Sequence, residues 1–317
     1  MEKVVCNLCN SAEHRIVYSA PDIHFHRDEW FDVVECANCG LGFVNPRPDR
    51  DEIGKYYPSE FYDYFERDAN WHRNRYAEEA RYLEGIDAPR KRLLDIGCAN
   101  GDFPRFMREK GWNVEGVEVS TSSKPISDFP VYRQEFSTLM GEPRYDAITA
   151  WAVLEHVHDP MSYFIKAGQL LKPGGLFVFL VTNFASLSSN GLFREDVPRH
   201  LYFFTEPTVK SYLERAGLSL LDADFNDNIY EMRPVSWLRY YAYRYLLRKR
   251  LTWHDIPNTR AQFFERHNMS NTIGSNLKFA ATHPFTLLDR VLMPLYERVQ
   301  MLRRRYGIVT FVARKPN

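Results

Sequence analysis

The stretch Leu93-Leu94-Asp95-Ile96-Gly97-Cys98-Ala99-Asn100-Gly101-Asp102-Phe103 decides the fold of this 317-residue chain. An apolar run leads into a turn that carries two glycines, and a helix-like segment follows. A strand that enters a glycine-bearing turn and opens a helix lets the backbone approach a ligand closely. The stretch therefore predicts a ligand-binding loop at the end of a buried strand.

The chain on either side of this loop alternates apolar runs with amphipathic segments, which is typical of βα units and a parallel sheet. Strands are predicted at residues 92–96, 113–119, 129–133, 145–150, 176–181, 218–223 and 306–313, and helices at 69–84, 102–110, 159–171 and 205–216. The predicted fold class is α/β, with a Rossmann-like sheet of seven strands.

Texture divides the chain into four regions. They are a cysteine-bearing module (1–45), a helical connector or lid rich in tyrosine and charge (46–90), the α/β core (91–225 plus 306–317) and a helical insertion before the last strand (226–305). Within 231–305, 14 Lys and Arg stand against 5 Asp and Glu, interleaved with aromatics. This surplus fits solvated helices, or a cap that docks an anionic acceptor or touches a membrane surface.

Composition excludes some classes of protein. The formal net charge is zero, so bulk charge gives no reason to expect nucleic acid as a partner. No stretch approaches the roughly 18 consecutive apolar residues of a membrane-spanning helix, and the N-terminus lacks the apolar run of a secretory signal. We therefore expect a cytoplasmic protein, whose oligomeric state the sequence does not indicate.

Four of the five cysteines form two Cys-x-x-Cys pairs, Cys6/Cys9 and Cys36/Cys39. Zinc binds four thiolates in a tetrahedron, and each such turn presents two sulfurs. The alternative is four unconnected buried thiols, which the paired spacing disfavours. The pairs predict a closed, structural zinc site with a tight turn at Gly40.

Acidic residues around the glycine loop favour S-adenosylmethionine over a dinucleotide. Asp102 stands where a dinucleotide's pyrophosphate would meet the helix, and a carboxylate there would repel it. The sulfonium and ammonium of S-adenosylmethionine tolerate nearby acids. Glu118, 23 residues after Asp95, is placed to accept hydrogen bonds from the ribose hydroxyls, and Glu135 is the candidate for the adenine end. Each acid taken alone could be a surface carboxylate.

Residues 91–225 resemble class I S-adenosylmethionine-dependent methyltransferases. The motifs are the loop above, Leu154-Glu155-His156-Val157-His158-Asp159-Pro160, Leu171-Lys172-Pro173-Gly174-Gly175 and Pro198-Arg199-His200-Leu201-Tyr202-Phe203-Phe204-Thr205. The cysteine module is similar to that of bacterial enzymes that methylate sugars or surface-polysaccharide precursors. The resemblance implies an antiparallel last strand and a cofactor site built from Asp95, Gly97, Cys98, Ala99, Asn100, Gly101, Phe103, Glu118, Val119, Glu135, Phe136 and Trp151.

Two departures from the family pattern affect this site. Ala99 replaces the usual middle glycine, which a negative φ would accommodate. Ala152 replaces the first acid of the Glu-x-x-Glu-His set that holds a divalent ion in quinone-pathway relatives, so no catalytic metal is predicted. Cys98 is expected to pack within the loop rather than react.

Two histidines are candidate catalytic residues. His200 follows the fifth strand and His156 the fourth, on the rim where strand carboxyl ends form a ligand crevice. A histidine could take the proton of a hydroxyl acceptor. His200 could equally position substrate or make a structural hydrogen bond, and His156 could simply organise its turn. We rank His200 first.

The predicted function is O-methylation of a sugar hydroxyl on a nucleotide-sugar or surface-glycan precursor. Tyr56, Tyr57, Phe61, Tyr62, Tyr64 and Trp71 could stack on sugar faces, or could join the module to the core. Methylation of ribosomal or transfer RNA is an alternative, disfavoured because residues 1–45 are acidic. A second alternative is a non-catalytic scaffold that binds the cofactor without turnover.

Overall fold

The computed structural model describes residues 1–22, 28–58, 69–88, 90–120, 126, 128–186, 196–226, 229, 272 and 284–317. The described strands are β1 (His14–Pro21), β2 (Trp30–Cys36), β3 (Gly42–Val44), β4 (Arg92–Ile96), β5 (Asn113–Val117), β6 (Val131–Tyr132), β7 (Tyr145–Trp151), β8 (Leu171–Thr182), β9 (Tyr202–Phe203), β10 (Ser219–Asp224) and β11 (Ile308–Arg314). They form one sheet of seven strands and one of four.

The seven-stranded sheet has the order β10-β11-β8-β7-β4-β5-β6. Strand β4 lies near its centre, parallel to β5 on one side and to β7 on the other. The last strand, β11, inserts antiparallel between β8 and β10. The predicted seven strands and the antiparallel last strand are confirmed. Because β4 is an inner strand, the loop that follows it lies near the middle of the edge formed by the carboxyl ends of the strands. Open α/β sheets bind ligands at this edge.

The described helices are α1 (Ala69–Arg81), α2 (Asp102–Glu109), α3 (Pro160–Leu170), α4 (Glu206–Arg215) and α5 (Pro284–Leu302). Sequence signals place several of their ends. Asp159 caps α3 by accepting from the Ser162 amide, with Pro160 in the first turn. Thr205 caps α4, and Gly217, with φ of 68°, follows its end. The first four helices match the predicted segments to within a few residues.

The four-stranded sheet has the order β1-β2-β3-β9 and joins the cysteine module to the core. Strand β9 comes from the segment that the sequence assigns to the core, yet it pairs with β3 through Gly42↔Phe203 and Phe43↔Tyr202. A buried ion pair reinforces this junction, because Arg199 donates to Asp22 Oδ1 at 3.1 Å from both terminal nitrogens. The module and the core therefore share one hydrophobic interior.

The connector contributes a packing contact rather than an exposed aromatic surface where it is described. Tyr56 is fully buried against Phe31 of β2 and donates a hydrogen bond to Glu29. Phe61, Tyr62 and Tyr64 lie outside the described residues, as does most of the 226–305 insertion, of which α5 is described. No described helix is both long enough and apolar enough to cross a bilayer.

Candidate cofactor and acceptor site

The loop after β4 requires glycine at two positions for two reasons at once. Gly97 and Gly101 have φ of 68° and 80°, a region that L side chains rarely adopt. A Cβ on Gly97 would lie 2.7 Å from Cγ2 of Val153, and one on Gly101 would lie 2.8 Å from Phe129. Neighbouring side chains therefore fill the space that a Cβ would need, and α2 begins directly after the loop.

Ala99, between the two glycines, also has a positive φ, of 48°. The expectation that a negative φ accommodates this alanine is therefore wrong. The amide of Ala99 donates to Glu118 Oε2 at 2.9 Å, and this bond holds the peptide in place. The chain accepts the cost of a left-handed alanine, about 1–2 kcal/mol, in order to keep the loop's shape.

Glu118, just beyond β5, is the carboxylate tied to this loop. Its side chain is buried, and its other oxygen accepts from the Ser120 amide at 2.6 Å. Each oxygen keeps a second lone pair, so the carboxylate can still accept from a ribose hydroxyl. The structure thus brings Glu118 and the glycine loop together, as the sequence predicts.

Two further buried acids lie behind the loop. Asp95 accepts from Thr149 at 2.7 Å, and burial, with Glu79 as a further negative neighbour, raises the pKa of Asp95 to about 8. Glu79 of α1 is fully buried, and burial raises its pKa to about 7 in spite of an ion pair with Arg75. Its Oε2 has no hydrogen-bond partner among the described residues. A positive charge placed beside these acids would favour their ionised forms, so a cationic ligand would lower both pKa values.

Trp151, at the end of β7, forms an aromatic wall beside the loop. Its ring packs edge-on against Phe103 of α2, with centroids 5.7 Å apart, and also contacts Tyr82. The indole Nε1 is buried, and no acceptor for it lies among the described residues. A buried indole N–H of this kind requires an acceptor, which a bound polar ligand would supply.

The remaining predicted cofactor residues lie in different environments. Cys98 is buried against Gly116, and burial raises its pKa to about 12, so it is a packed, neutral thiol. Val119 is exposed, and the Asn100 carbonyl accepts from Arg105. Phe136 is fully buried against Tyr163. Glu135 forms an ion pair with Arg50 of the connector, so its part in binding adenine stays a prediction.

The two candidate catalytic histidines lie against each other. The rings of His156 and His200 are nearly perpendicular, with centroids 4.6 Å apart. Burial lowers the pKa of each to about 3, so both are neutral at pH 7. His156 Nδ1 lies 3.0 Å from the Arg199 carbonyl, which can only accept, so we place the proton on Nδ1 and the lone pair on Nε2. Which of the two histidines acts as a base stays a prediction.

Glu155 completes a cluster with these histidines. It is almost fully buried, and neither oxygen has a hydrogen bond of good geometry with the described residues. Burial raises its pKa to about 8, although the nearby backbone amides of Glu155 and Thr182 favour the charged form. One ligand atom from each of Glu155, His156 and His200 lies within 4.8 Å of the others. Two imidazoles and a carboxylate could hold a divalent cation, and the predicted absence of a catalytic metal stays a prediction.

The four predicted zinc ligands meet at one point. Cys6 and Cys39 Sγ lie 3.4 Å apart, Cys9 and Cys36 Sγ lie 3.5 Å apart, and all four lie within 4.8 Å. Tetrahedral zinc with bonds of about 2.3 Å needs sulfurs about 3.8 Å apart. None of the four is engaged in a disulfide bond.

The two cysteine turns are built alike. Asn10 and Gly40 each follow the second cysteine of a pair, with φ of 60° and 74°. Each amide donates to the carbonyl of the first cysteine of its pair. The predicted turn at Gly40 is confirmed. Two matching turns with converging sulfurs fit a zinc knuckle, so the donor set suits the metal.

Comparison with known protein families identifies the domain that contains this site. Residues 67–223 match the Methyltransferase domain family. The chain carries a class I S-adenosylmethionine-dependent methyltransferase domain. Ubiquinone biosynthesis O-methyltransferases from Alkalilimnicola ehrlichii and a Ruegeria species are each 30% identical to it, over 33% and 46% of this chain.

The matched part spans only 46% and 66% of those two relatives' own lengths. Among solved structures, an S-adenosylmethionine-dependent methyltransferase from Archaeoglobus fulgidus is 18% identical, with a TM-score of 0.47, over 76% of this chain and 92% of that one. The fold assignment rests on the strand order of the chain itself. These relatives give no support to the resemblance to sugar-methylating enzymes.

Sequence reasoning misses three residues of the site. The sequence predicts only that Glu79 lies in a helix, and its spacing does not indicate that it is buried near Asp95. Tyr57 reads from the sequence only as an aromatic residue, yet its hydroxyl lies 2.9 Å from His156 Nδ1. Glu155 reads only as part of a motif, and its burial without a partner among the described residues is a property of the folded chain alone.

Proposed function

We propose that this chain transfers the methyl group of S-adenosylmethionine to a hydroxyl oxygen of a small-molecule acceptor. The observation that carries the proposal is the buried Glu118 carboxylate bonded into the glycine loop at the carboxyl edge of the sheet. The methyltransferase domain match and the relatives' shared O-methyltransferase name support the reaction class.

The described residues fit S-adenosylmethionine because several of their buried polar groups have no partner among the described residues. Glu118 would accept from the ribose hydroxyls, while Asp95 and Glu79 would face the cationic methionine end. Glu79 Oε2 and Trp151 Nε1, which have no partner among the described residues, are the buried polar atoms that such a ligand would satisfy. When bound, the cofactor supplies an electrophilic methyl group on a sulfonium whose sulfur leaves as a neutral thioether.

The chain's own residues would align the acceptor and take its proton. His156 Nε2 accepts the hydroxyl proton, which leaves the oxygen free to attack. The carbonyl of Arg199 fixes the tautomer, and the Tyr57 hydroxyl contacts the same Nδ1. The neighbouring neutral ring of His200 packs edge to face against the His156 ring. Most of the catalytic effect would come from alignment, because the leaving group needs no protonation.

For the acceptor, we propose a hydroxyl of a ubiquinone-pathway phenol ahead of a sugar hydroxyl. The relatives are ubiquinone biosynthesis O-methyltransferases, which favours it, whereas the sugar prediction rests on the similarity of the cysteine module. The RNA alternative gains no support from these relatives. We also propose that the knuckle of Cys6, Cys9, Cys36 and Cys39 holds a structural zinc ion, as its sulfur geometry supports.

The test is release of S-adenosylhomocysteine with a panel of acceptors. Nucleotide-sugars and hydroxylated aromatic acceptors would be compared with wild-type protein and with His156→Gln. We expect turnover with at least one class. The rate should fall by about 10²-fold in the variant, the low end of the usual effect of general-base catalysis, because the lowered pKa of His156 makes it a weak proton acceptor. Stoichiometric cofactor binding without turnover on any acceptor would instead identify a non-catalytic scaffold.

A further inference from the structure

The loop that carries His156 is held from outside the core, by the cysteine module and the start of the connector. Residues 152–159 connect β7 to α3, and side chains from the N-terminal part of the chain reach this connection, Tyr57 among them. Arg47 donates to the carbonyl of His158 at 3.1 Å, and another of these side chains is Asn7. Asn7 lies inside the first cysteine turn, between Cys6 and Cys9.

Asn7 uses both ends of its amide on the start of α3. Its Oδ1 accepts from the Met161 amide and from the Tyr212 hydroxyl, both at 2.9 Å. Its Nδ2 donates to Asp159 Oδ1 at 2.8 Å. Asp159 is the residue that caps α3. Only a short side chain with a donor and an acceptor on one group can make all three bonds, so aspartate and leucine of similar shape cannot replace it.

The segment that carries His200 depends on the same module. Strand β9 pairs with β3, and the Val44 amide donates to the Leu201 carbonyl at 3.0 Å. The amides of Leu201 and Tyr202 in turn donate to the Glu155 carbonyl. The module therefore holds the segments that carry both histidines. The glycine loop contacts Glu118 and Phe129 of the core, and also Val153 of the 152–159 connection.

We propose that Asn7 is a positioning residue, which fixes the 152–159 loop, and with it the imidazole of His156, to the four-cysteine knuckle. This rests on the proposed role of His156 as the proton acceptor. The position of the acceptor-side base is then set by the folded knuckle, while cofactor binding is not. Metal loss from the knuckle would loosen the acceptor side first.

The test exchanges the two partners of one hydrogen bond. Asn7→Asp places two carboxylates against each other, and Asn7→Asp combined with Asp159→Asn restores a donor facing an acceptor. The exchange loses the α3 cap, because the same Asp159 Oδ1 also accepts from the Ser162 amide. Arg15→Ala serves as a matched control, because Arg15 is an exposed residue on β1 of the same module. Full-length protein is used throughout, with zinc content and S-adenosylmethionine affinity measured for every variant.

The readouts are amide hydrogen exchange and the imidazole NMR signals of His156, assigned with His156→Gln. We expect Asn7→Asp to speed exchange across 153–162 at least about tenfold, the change that follows when local opening becomes easier by about 1.4 kcal/mol. It should also shift the His156 signal, with cofactor affinity within about twofold of wild type. The exchanged pair should recover both readouts in part, because the cap of α3 stays lost, and Arg15→Ala should change neither.

Unchanged exchange and unchanged His156 signals in a folded Asn7→Asp protein would overturn the proposal. So would an exchanged pair that is no better than Asn7→Asp in either readout. Equal loosening of the β4 and glycine-loop peptides would also overturn it, since Asn7 would then only support the fold. If S-adenosylmethionine does not bind to wild-type protein, the proposed function fails, but the exchange comparison still decides the role of Asn7.

Discussion

Gly97→Ala tests how closely the glycine loop is fitted to its surroundings. Two separate costs apply at this position. A left-handed alanine costs about 1–2 kcal/mol, partly offset by about 0.4–1 kcal/mol from a less flexible unfolded chain. The new Cβ would also lie 2.7 Å from Val153 Cγ2, an overlap that must be relieved at about 1–3 kcal/mol. We expect a total loss of about 2–4 kcal/mol in the free energy of unfolding.

Gly111→Ala separates the two costs. Gly111 has a φ of 84°, but a Cβ added to it would meet nothing within 4 Å, so only the backbone cost applies. We expect a loss of about 1 kcal/mol there. Adding Val153→Ala to Gly97→Ala should recover at least about 1 kcal/mol relative to the sum of the single changes.

The assay is urea unfolding followed by circular dichroism and tryptophan fluorescence, with each variant's cooperativity checked. Equal losses for Gly97→Ala and Gly111→Ala would refute the reasoning, because contact with Val153 would then cost nothing. An additive Val153→Ala double variant would refute it in the same way, even if both glycine variants were destabilised.

Three further outcomes follow from the buried residues. Ala99→Gly should raise the free energy of unfolding by about 0.5–1 kcal/mol in urea titrations, since it relieves a left-handed alanine, and an unchanged or lower value would contradict this. His156 and His200 have folded pKa values of about 3, below those of the unfolded chain, so they cost stability as pH falls from about 6.5 towards 3. The free energy of unfolding between about pH 7 and 4.5 should therefore depend less steeply on pH in His156→Gln. An identical slope would count against neutral, buried histidines. Asp22→Asn should cost about 3–5 kcal/mol, because it leaves the Arg199 guanidinium buried without its charge partner, and a loss below about 1 kcal/mol measured by thermal or urea unfolding would disprove that pairing.

The sheet could be predicted because its strands are short apolar runs with clear turn residues between them. The starts of α3 and α4 could be predicted from their capping residues, since Asp159 and Thr205 accept hydrogen bonds from amides in the first turn of each helix. The antiparallel direction of β11 was predicted from the family resemblance and not from the residues of the strand itself. Local patterning sufficed wherever the determining contacts are close in sequence.

The pairing of β9 with the cysteine module could not be predicted, because it joins residues about 160 positions apart through two short strands. The φ of Ala99 was predicted with the wrong sign, since alanine favours negative φ and a hydrogen bond to Glu118 overrides that preference. The partnering of His156 with Tyr57, and the burial of Glu79, likewise depend on contacts between distant segments.

The most direct test of the central claim is titration calorimetry of S-adenosylmethionine and S-adenosylhomocysteine with wild-type protein, Glu118→Ala and Glu118→Gln. Glu109→Ala, at an exposed position on α2, serves as the control. We predict saturable one-to-one binding that weakens by about 1–3 kcal/mol in Glu118→Ala, the usual loss when a buried hydrogen-bonding partner is removed, and is unchanged in the control. Absence of binding to folded, zinc-loaded wild-type protein, or equal affinity for Glu118→Ala, would contradict the cofactor site described above.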